Sequence, residues 1–223
     1  MIIAIGWLFL TGGSSFTLFA ERANAPPKIM MNTLISGCTS SVLSVYLKPH
    51  IMRTYSYVTR YDCVASCSGF VAGLVGVSGC CDEIEPWAAL TIGIISSIMY
   101  MLGCKLLKDF HIDDPVEAVP MCLFCGIWGT LATGFFDNKH GLFYNSPNKG
   151  SFFGYQILGM LAIILWTSLI STTYFLIMKR LGKFRIDKSI EIVGLDIAEM
   201  GGLSNELFEK IKRDGSYQTS FYG

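Results

Sequence analysis

Residues 113–136 read Asp113-Asp114-Pro115-Val116-Glu117-Ala118-Val119-Pro120-Met121-Cys122-Leu123-Phe124-Cys125-Gly126-Ile127-Trp128-Gly129-Thr130-Leu131-Ala132-Thr133-Gly134-Phe135-Phe136. After Glu117 no charged residue occurs until Asp137. A helix needs about 20 such apolar residues to cross a hydrocarbon core. The acids at its head suit a helix start. Asp113 and Asp114 can cap open backbone amides, Pro115 fits a first turn, and Glu117 one turn in adds negative charge at the positive dipole end. Gly126, Thr130 and Gly134 lie four apart, a spacing of small residues that lets helix backbones approach closely in lipid.

Five more stretches of this kind lie near 2–20, 29–47, 63–80, 87–107 and 152–178, so six spans are expected, with 116–136 the fifth. The whole composition agrees. Of the 223 residues 52% are hydrophobic and only 15% charged, against roughly 25% charged in an ordinary globular chain. Mean hydropathy is +0.48. The 17 basic residues cancel the 17 acidic ones, so no basic surface asks for nucleic acid as a partner. The expected fold class is all-α: a polytopic helical membrane protein whose partner is the lipid bilayer. The first stretch begins at Met1 without a basic leader, which favours a span over a signal peptide. The sixth is the longest, about 40 Å as a helix, and is expected to tilt or project. Ala65, Gly69 and Gly73 repeat the small-residue spacing seen in the fifth.

These boundaries divide the chain into a transmembrane domain, 1–180, and a cytoplasmic tail, 181–223. The tail is charged and polar, with Leu203, Leu207, Phe208 and Ile211 spaced for one face of a short helix and Ser216–Gly223 expected to be disordered. With the tail inside, ten basic residues fall on that side: Lys48, Arg53, Arg60, Lys105, Lys108, Lys179, Arg180, Lys183, Arg185 and Lys188. Four, Arg22, Lys28, Lys139 and Lys149, fall on the other. The excess of basic residues on the cytoplasmic side places both termini there.

The motifs of soluble enzymes are missing: no phosphate loop, no HExxH, no G-x-S-x-G. The chain is not expected to be an enzyme, and no cofactor is implied. Cys122-x-x-Cys125 has a metal or redox spacing, but it lies within a span and lacks two further ligands nearby, so no metal site is expected. The eight cysteines lie mostly in apolar runs, where cysteine acts as a small hydrophobe. Only Cys80 and Cys81 are placed at a wet edge. His50, His111 and His140 fall in expected loops, and no span contains a histidine. Ser14 and Ser15 in the first span are ordinary helix-packing hydroxyls on local chemistry alone.

The stretch 113–136 closely resembles the signature span of the ammonium transporter family, which includes the methylammonium permeases and Rhesus proteins. Other segments resemble the same family in order: Gly6-Trp7 through Gly13-Ser14, Asn32-Thr33, Cys67-Ser68-Gly69-Phe70-Val71-Ala72-Gly73-Leu74-Val75, and Gly194-Leu195-Asp196 with Gly201-Gly202 in the tail. The resemblance implies the sixth to eleventh helices of an architecture with eleven spans in two inverted halves plus a final long helix. The chain is thus expected to be half of that inverted-repeat fold. No second copy of the pattern is present in the sequence. Trimers with one pore per subunit, homomeric or heteromeric, are implied by the same analogy.

Ammonium cannot enter hydrocarbon without a large desolvation cost. The resemblance implies a vestibule where a hydroxyl and aromatic faces hold the cation, then stacked rings, then a narrow apolar pore with two facing histidines. Burial lowers an ammonium's pKa and so favours parting ammonia from its proton. Carried over by position, Ser14 matches the vestibule hydroxyl, Trp7 a pore-lining aromatic and Ala118 an apolar wall. Asp114 matches an acid at a helix start that braces the fold. Leu10 stands where the family usually has a gating Phe, and Cys122 where the second pore histidine belongs. Gly194, Leu195 and Asp196 match the cytoplasmic motif. Met200 replaces a common His, and Ala198 leaves no hydroxyl where plant relatives carry a phosphorylatable Thr.

Two functions are therefore expected as alternatives. The chain is a partial or diverged ammonium transporter, its start at a methionine just inside a span suiting a truncated reading frame. Alternatively it is a transport-inactive half-subunit that assembles with intact relatives and modulates them. A silent pseudogene product is a third reading. The expected location is a multi-pass membrane protein, most simply of the plasma membrane. Alone, the chain is expected to carry no ammonium.

Overall fold

The computed structural model describes residues 2–15, 25–52, 62–144, 149–182 and 184, and every regular element among them is a helix. In order these are α1 (Ile2–Gly13), α2 (Ala25–Met52), α3 (Cys63–Val77), α4 (Pro86–Asp109), a π-helical segment (Val119–Phe124) running into α5 (Cys125–Phe136), and α6 (Lys149–Arg180). Pro86–Asp109, Val119–Phe136 and Gly150–Arg180 are long and apolar enough to cross a membrane, while Ile2–Gly13 and Cys63–Val77 are apolar but shorter. The chain forms two units, Met1–Ile163 and Ile164–Gly223.

Within the first unit the reason α2 is long yet polar is clear. Ser36, Ser40 and Ser44 are fully buried, while Met31, Leu34, Val42 and Tyr46 face outward. The serines meet glycines of α3 and α4. A Cβ on Gly73 would stand 2.5 Å from the Ser36 carbonyl oxygen and 2.9 Å from the Gly37 Cα, and one on Gly93 would stand 2.6 Å from that same oxygen. The backbones are in direct contact. Ser36 Oγ donates to the Gly73 carbonyl at 2.9 Å, Ser44 and Ser97 hydroxyls pair at 3.1 Å, and Ser41 and Ser66 pair at 2.8 Å. In lipid, apolar burial gives helices little reason to associate, so close packing and hydroxyl bonds hold this bundle instead. The spacing of Ala65, Gly69 and Gly73 marks this seam. The second spacing marks its seam only in part: Gly134 packs on Phe153, Gly126 faces open space, and Gly129 makes the backbone contact, against Gly76.

Ile29, Val77, Cys80, Ile84, Ile92 and Phe136 close an apolar cluster at the α3–α4 turn. Cys80 and Cys81, expected at a wet edge, are buried here, at 2% and 7% exposure. The turn is drawn inward because Asn32 Nδ2 donates to the carbonyls of Cys81 and Ile84 at 2.9 and 3.1 Å, satisfying acceptors that lie past the end of α3. Burial pushes the Cys81 thiol up to about 11, leaving it unreactive as a thiolate. His50 also departs from expectation: it lies in the last turn of α2, which continues through Pro49. His111 and His140 lie outside the helices, as read from the sequence.

At the head of α3, Asp62 Oδ1 accepts the Val64 backbone N–H at 2.8 Å and Oδ2 accepts Lys48 Nζ at 2.6 Å. The Lys48 ammonium holds the Asp62 carboxyl below the ordinary value of 3.8. A depressed folded-state pKa contributes stability above the unfolded value that is lost as pH falls through the folded one. Asp62→Asn is therefore expected to lower thermal stability by a constant amount between pH 5 and roughly pH 8, with the gap from the parent closing below pH of about 4. Thermal midpoints of both proteins across that range check this.

The second unit holds the last turns of α6, where Leu165, Trp166, Leu169, Ile170 and Tyr174 are all exposed. A helix apolar all round is one suited to lipid. Phe175 packs edge-on against Tyr174 and Phe184, with centroids 5.5 and 5.8 Å apart.

Candidate substrate pathway

The candidate pathway residues sit on two elements, α1 and the segment leading into α5. On α1, Thr11 Oγ1 bonds back to the carbonyls of Trp7 and Leu8 at 3.0 and 3.1 Å, and the Ser14 N–H closes the last turn onto the Leu10 carbonyl at 2.9 Å. Gly12 is the docking point, its Cβ position 3.1 Å from Met30 Cγ of α2. Trp7 turns its indole to α3, where Nε1 donates to Ser78 Oγ at 3.0 Å. Leu10 is 65% exposed. Ser14 is exposed, and its hydroxyl donates to the Thr11 carbonyl at 2.9 Å. That bond spends its proton on the helix and leaves oxygen lone pairs free to accept from a cation's N–H.

The second element begins differently from the simple start read in the sequence. Asp114 does cap: Oδ2 accepts the Val119 N–H at 2.8 Å. The helical run follows Pro115 and Glu117 rather than containing them, and Glu117 adopts a left-handed backbone at φ 54°. Such a conformation is costly for a residue with a side chain and persists where surroundings hold it. Here the buried Tyr100 hydroxyl donates to Glu117 Oε2. Ala118 and Cys122 are exposed, and Cys122 lies in the π-helical segment, a feature frequent at functional positions. Pro120 is buried against α4, 3.1 Å from the Cβ position of Gly103.

Cys125 differs from Cys122 in its burial. It is buried, its Sγ donating to the Ser96 carbonyl at 3.5 Å, while Cys122 is exposed. Among the described residues no group of three His, Cys, Asp or Glu side chains is placed to hold a metal. α3 stands against both elements: Ser78 takes the Trp7 indole, and Gly76 receives Gly129 of α5, with its Cβ position 3.6 Å from Trp128 Cδ1. Ser78, Tyr100 and Glu117's backbone are contributions that sequence reasoning missed. Gly194, Leu195 and Asp196 lie outside the described residues.

The sequence model of the Ammonium Transporter Family matches residues 1–204. This chain belongs to the ammonium transporter family. It is 32% identical over 213 residues to ammonium transporter 3 of Dictyostelium discoideum, covering 91% of this chain and 48% of that protein. It is 28% identical over 238 residues to ammonium transporter 1 member 4 of Arabidopsis thaliana, covering 96% and 46%. The crystal structure of Candida albicans Mep2 superposes with a TM-score of 0.71 at 22% identity, over 98% of this chain and 47% of that one. The family thus supplies the all-helical membrane fold, and the chain spans about half the length of the relatives it matches. Within this member of the ammonium transporter family, Leu10 and Cys122 are the positions where the resemblance implies a ring and an imidazole.

Proposed function

We propose that this chain builds one side of a path that carries ammonium or ammonia across the plasma membrane. Six spans, near 2–20, 29–47, 63–80, 87–107, 116–136 and 152–178, form its domain 1–180, with both termini and the tail 181–223 cytoplasmic. Subunits associate as trimers. Ser14 accepts the cation, Trp7 and Leu10 line the way inward, Ala118 and Cys122 form the apolar wall, and Asp114 fixes the segment that bears them. The observation that carries this reading is exposure: Leu10, Ser14, Ala118 and Cys122 all lie on the open surface of a bundle whose serine-rich seam is closed. A path lined by these residues needs a facing wall, as two inverted halves supply.

The test joins this chain behind the first half of the Dictyostelium relative and measures labelled methylammonium uptake in cells without their own uptake system. Uptake above that of cells holding the first half alone is expected. Uptake no higher would contradict the reading. The exposed thiol of Cys122 and the absent ring at Leu10 favour a second reading, a transport-inactive half-subunit that assembles with and modulates intact relatives. Under it, uptake by an intact relative falls when this chain is produced beside it.

A further inference from the structure

The Trp7 indole is held by a directed chain of hydrogen bonds that ends on the backbone of α3. Ser78 caps the C-terminal end of α3, its own N–H bonded to the Val75 carbonyl at 3.3 Å. Its hydroxyl proton goes to the Leu74 carbonyl at 2.5 Å. With that proton committed, Ser78 Oγ meets Trp7 only as an acceptor, and Nε1–H donates to it at 3.0 Å. An indole nitrogen is a donor only, so the polarity of the pair admits one arrangement. The Leu74 side of the chain is rigid, because Leu74, Gly73 and Val77 are buried in the bundle.

We propose that Ser78 is a positioning residue for Trp7: it fixes the indole ring's rotation at the pathway face by accepting its N–H. Docking elsewhere along α1 does not do this. Gly12 meets Met30 five residues further along the helix and leaves the Trp7 side-chain torsions free. Removing the Ser78 oxygen leaves a half-buried donor without its acceptor, and such a group turns toward another partner or water. The bearing of Ser78 on transport rests on reading Trp7 as a pathway residue.

The test uses the full chain, labelled with nitrogen-15 at its indoles and held in lipid nanodiscs. Its four tryptophans give four indole N–H resonances, and Trp7→Phe assigns the one from Trp7. Ser78→Ala is expected to shift the Trp7 resonance and to speed its exchange with solvent at least about tenfold, the change that loss of one hydrogen bond produces. Ser78→Thr, which keeps the oxygen, is expected to restore both. Trp128 is the internal control: its Nε1 donates to the Ile92 carbonyl at 3.3 Å beside Gly76, so it reports loosening of α3 itself. A Trp7 resonance unmoved by Ser78→Ala overturns the proposal. So does one that moves together with Trp128, or one that Ser78→Thr fails to restore. Methylammonium uptake by the joined protein then separates the two claims. If Ser78→Ala frees the indole and yet both it and Trp7→Ala leave uptake unchanged, the positioning stands and the pathway reading of Trp7 falls.

Discussion

Valine at Gly73 is expected to cost the bundle about 3 kcal/mol or more. The atoms in the way are backbone: the Ser36 carbonyl oxygen at 2.5 Å and the Gly37 Cα at 2.9 Å from where a Cβ would stand. Neither can rotate aside, so α2 and α3 must part. Parting them breaks the Ser36–Gly73 hydrogen bond and strips the Ser44–Ser97 pair of its shelter, and unpaired hydroxyls in an apolar medium are costly. For a chain of this size the thermal midpoint should fall by about 6–12 °C. Gly159→Val is the control, since nothing lies within 4 Å of its Cβ position, and its midpoint should match the parent's. Equal midpoints for Gly73→Val and the parent would mean the seam is not what holds the bundle.

That seam shows how much the sequence disclosed. The spacing of Ala65, Gly69 and Gly73 marks a close-packed face because small residues at every fourth position share one side of a helix. The partner face was invisible, since serines at 36, 40 and 44 read the same whether they face a neighbour or a cavity. The stretch expected at 2–20 is helical over Ile2–Gly13, with 16–20 outside the described residues, and α2 outran its expected 29–47 because a polar, inward face lowers the apparent hydropathy of a helix that is nonetheless continuous. The turn of Cys80 and Cys81 was misplaced for a related reason. Its burial depends on Asn32, 49 residues away from Cys81, and no local pattern carries such a contact. At the candidate pathway the residue types were legible through family resemblance. The left-handed Glu117 and the hydrogen bond from Trp7 to Ser78 were not, because backbone torsion and long-range pairing leave no mark in a single sequence.

Cys122→His in the joined protein is expected to raise methylammonium flux by about a hundredfold, the lower range for a positioned general acid–base group. A neutral imidazole offers one nitrogen as donor and the other as acceptor, so it can pass a hydrogen bond along a path. A thiol is a weak donor and a weak acceptor, and offers no such relay. Cys122 lies exposed in the π-helical segment, and Gly126 one turn beyond it meets nothing within 4 Å of its Cβ position, so a larger ring has room without disturbing the bundle. Cys125→His is the contrasting substitution. It places the ring in the closed interior, where the thiol now bonds the Ser96 carbonyl, and should cost stability without gaining flux. Flux unchanged by Cys122→His would remove position 122 from the pathway.

The most direct measurement is labelled methylammonium uptake into proteoliposomes, made side by side with the 223-residue chain alone and with the joined protein. Because Leu10, Ser14, Ala118 and Cys122 face outward with no opposing wall among the described residues, the chain alone should match empty vesicles while the joined protein takes up substrate. Uptake by the chain alone above that of empty vesicles would contradict the claim that it forms one side of the path.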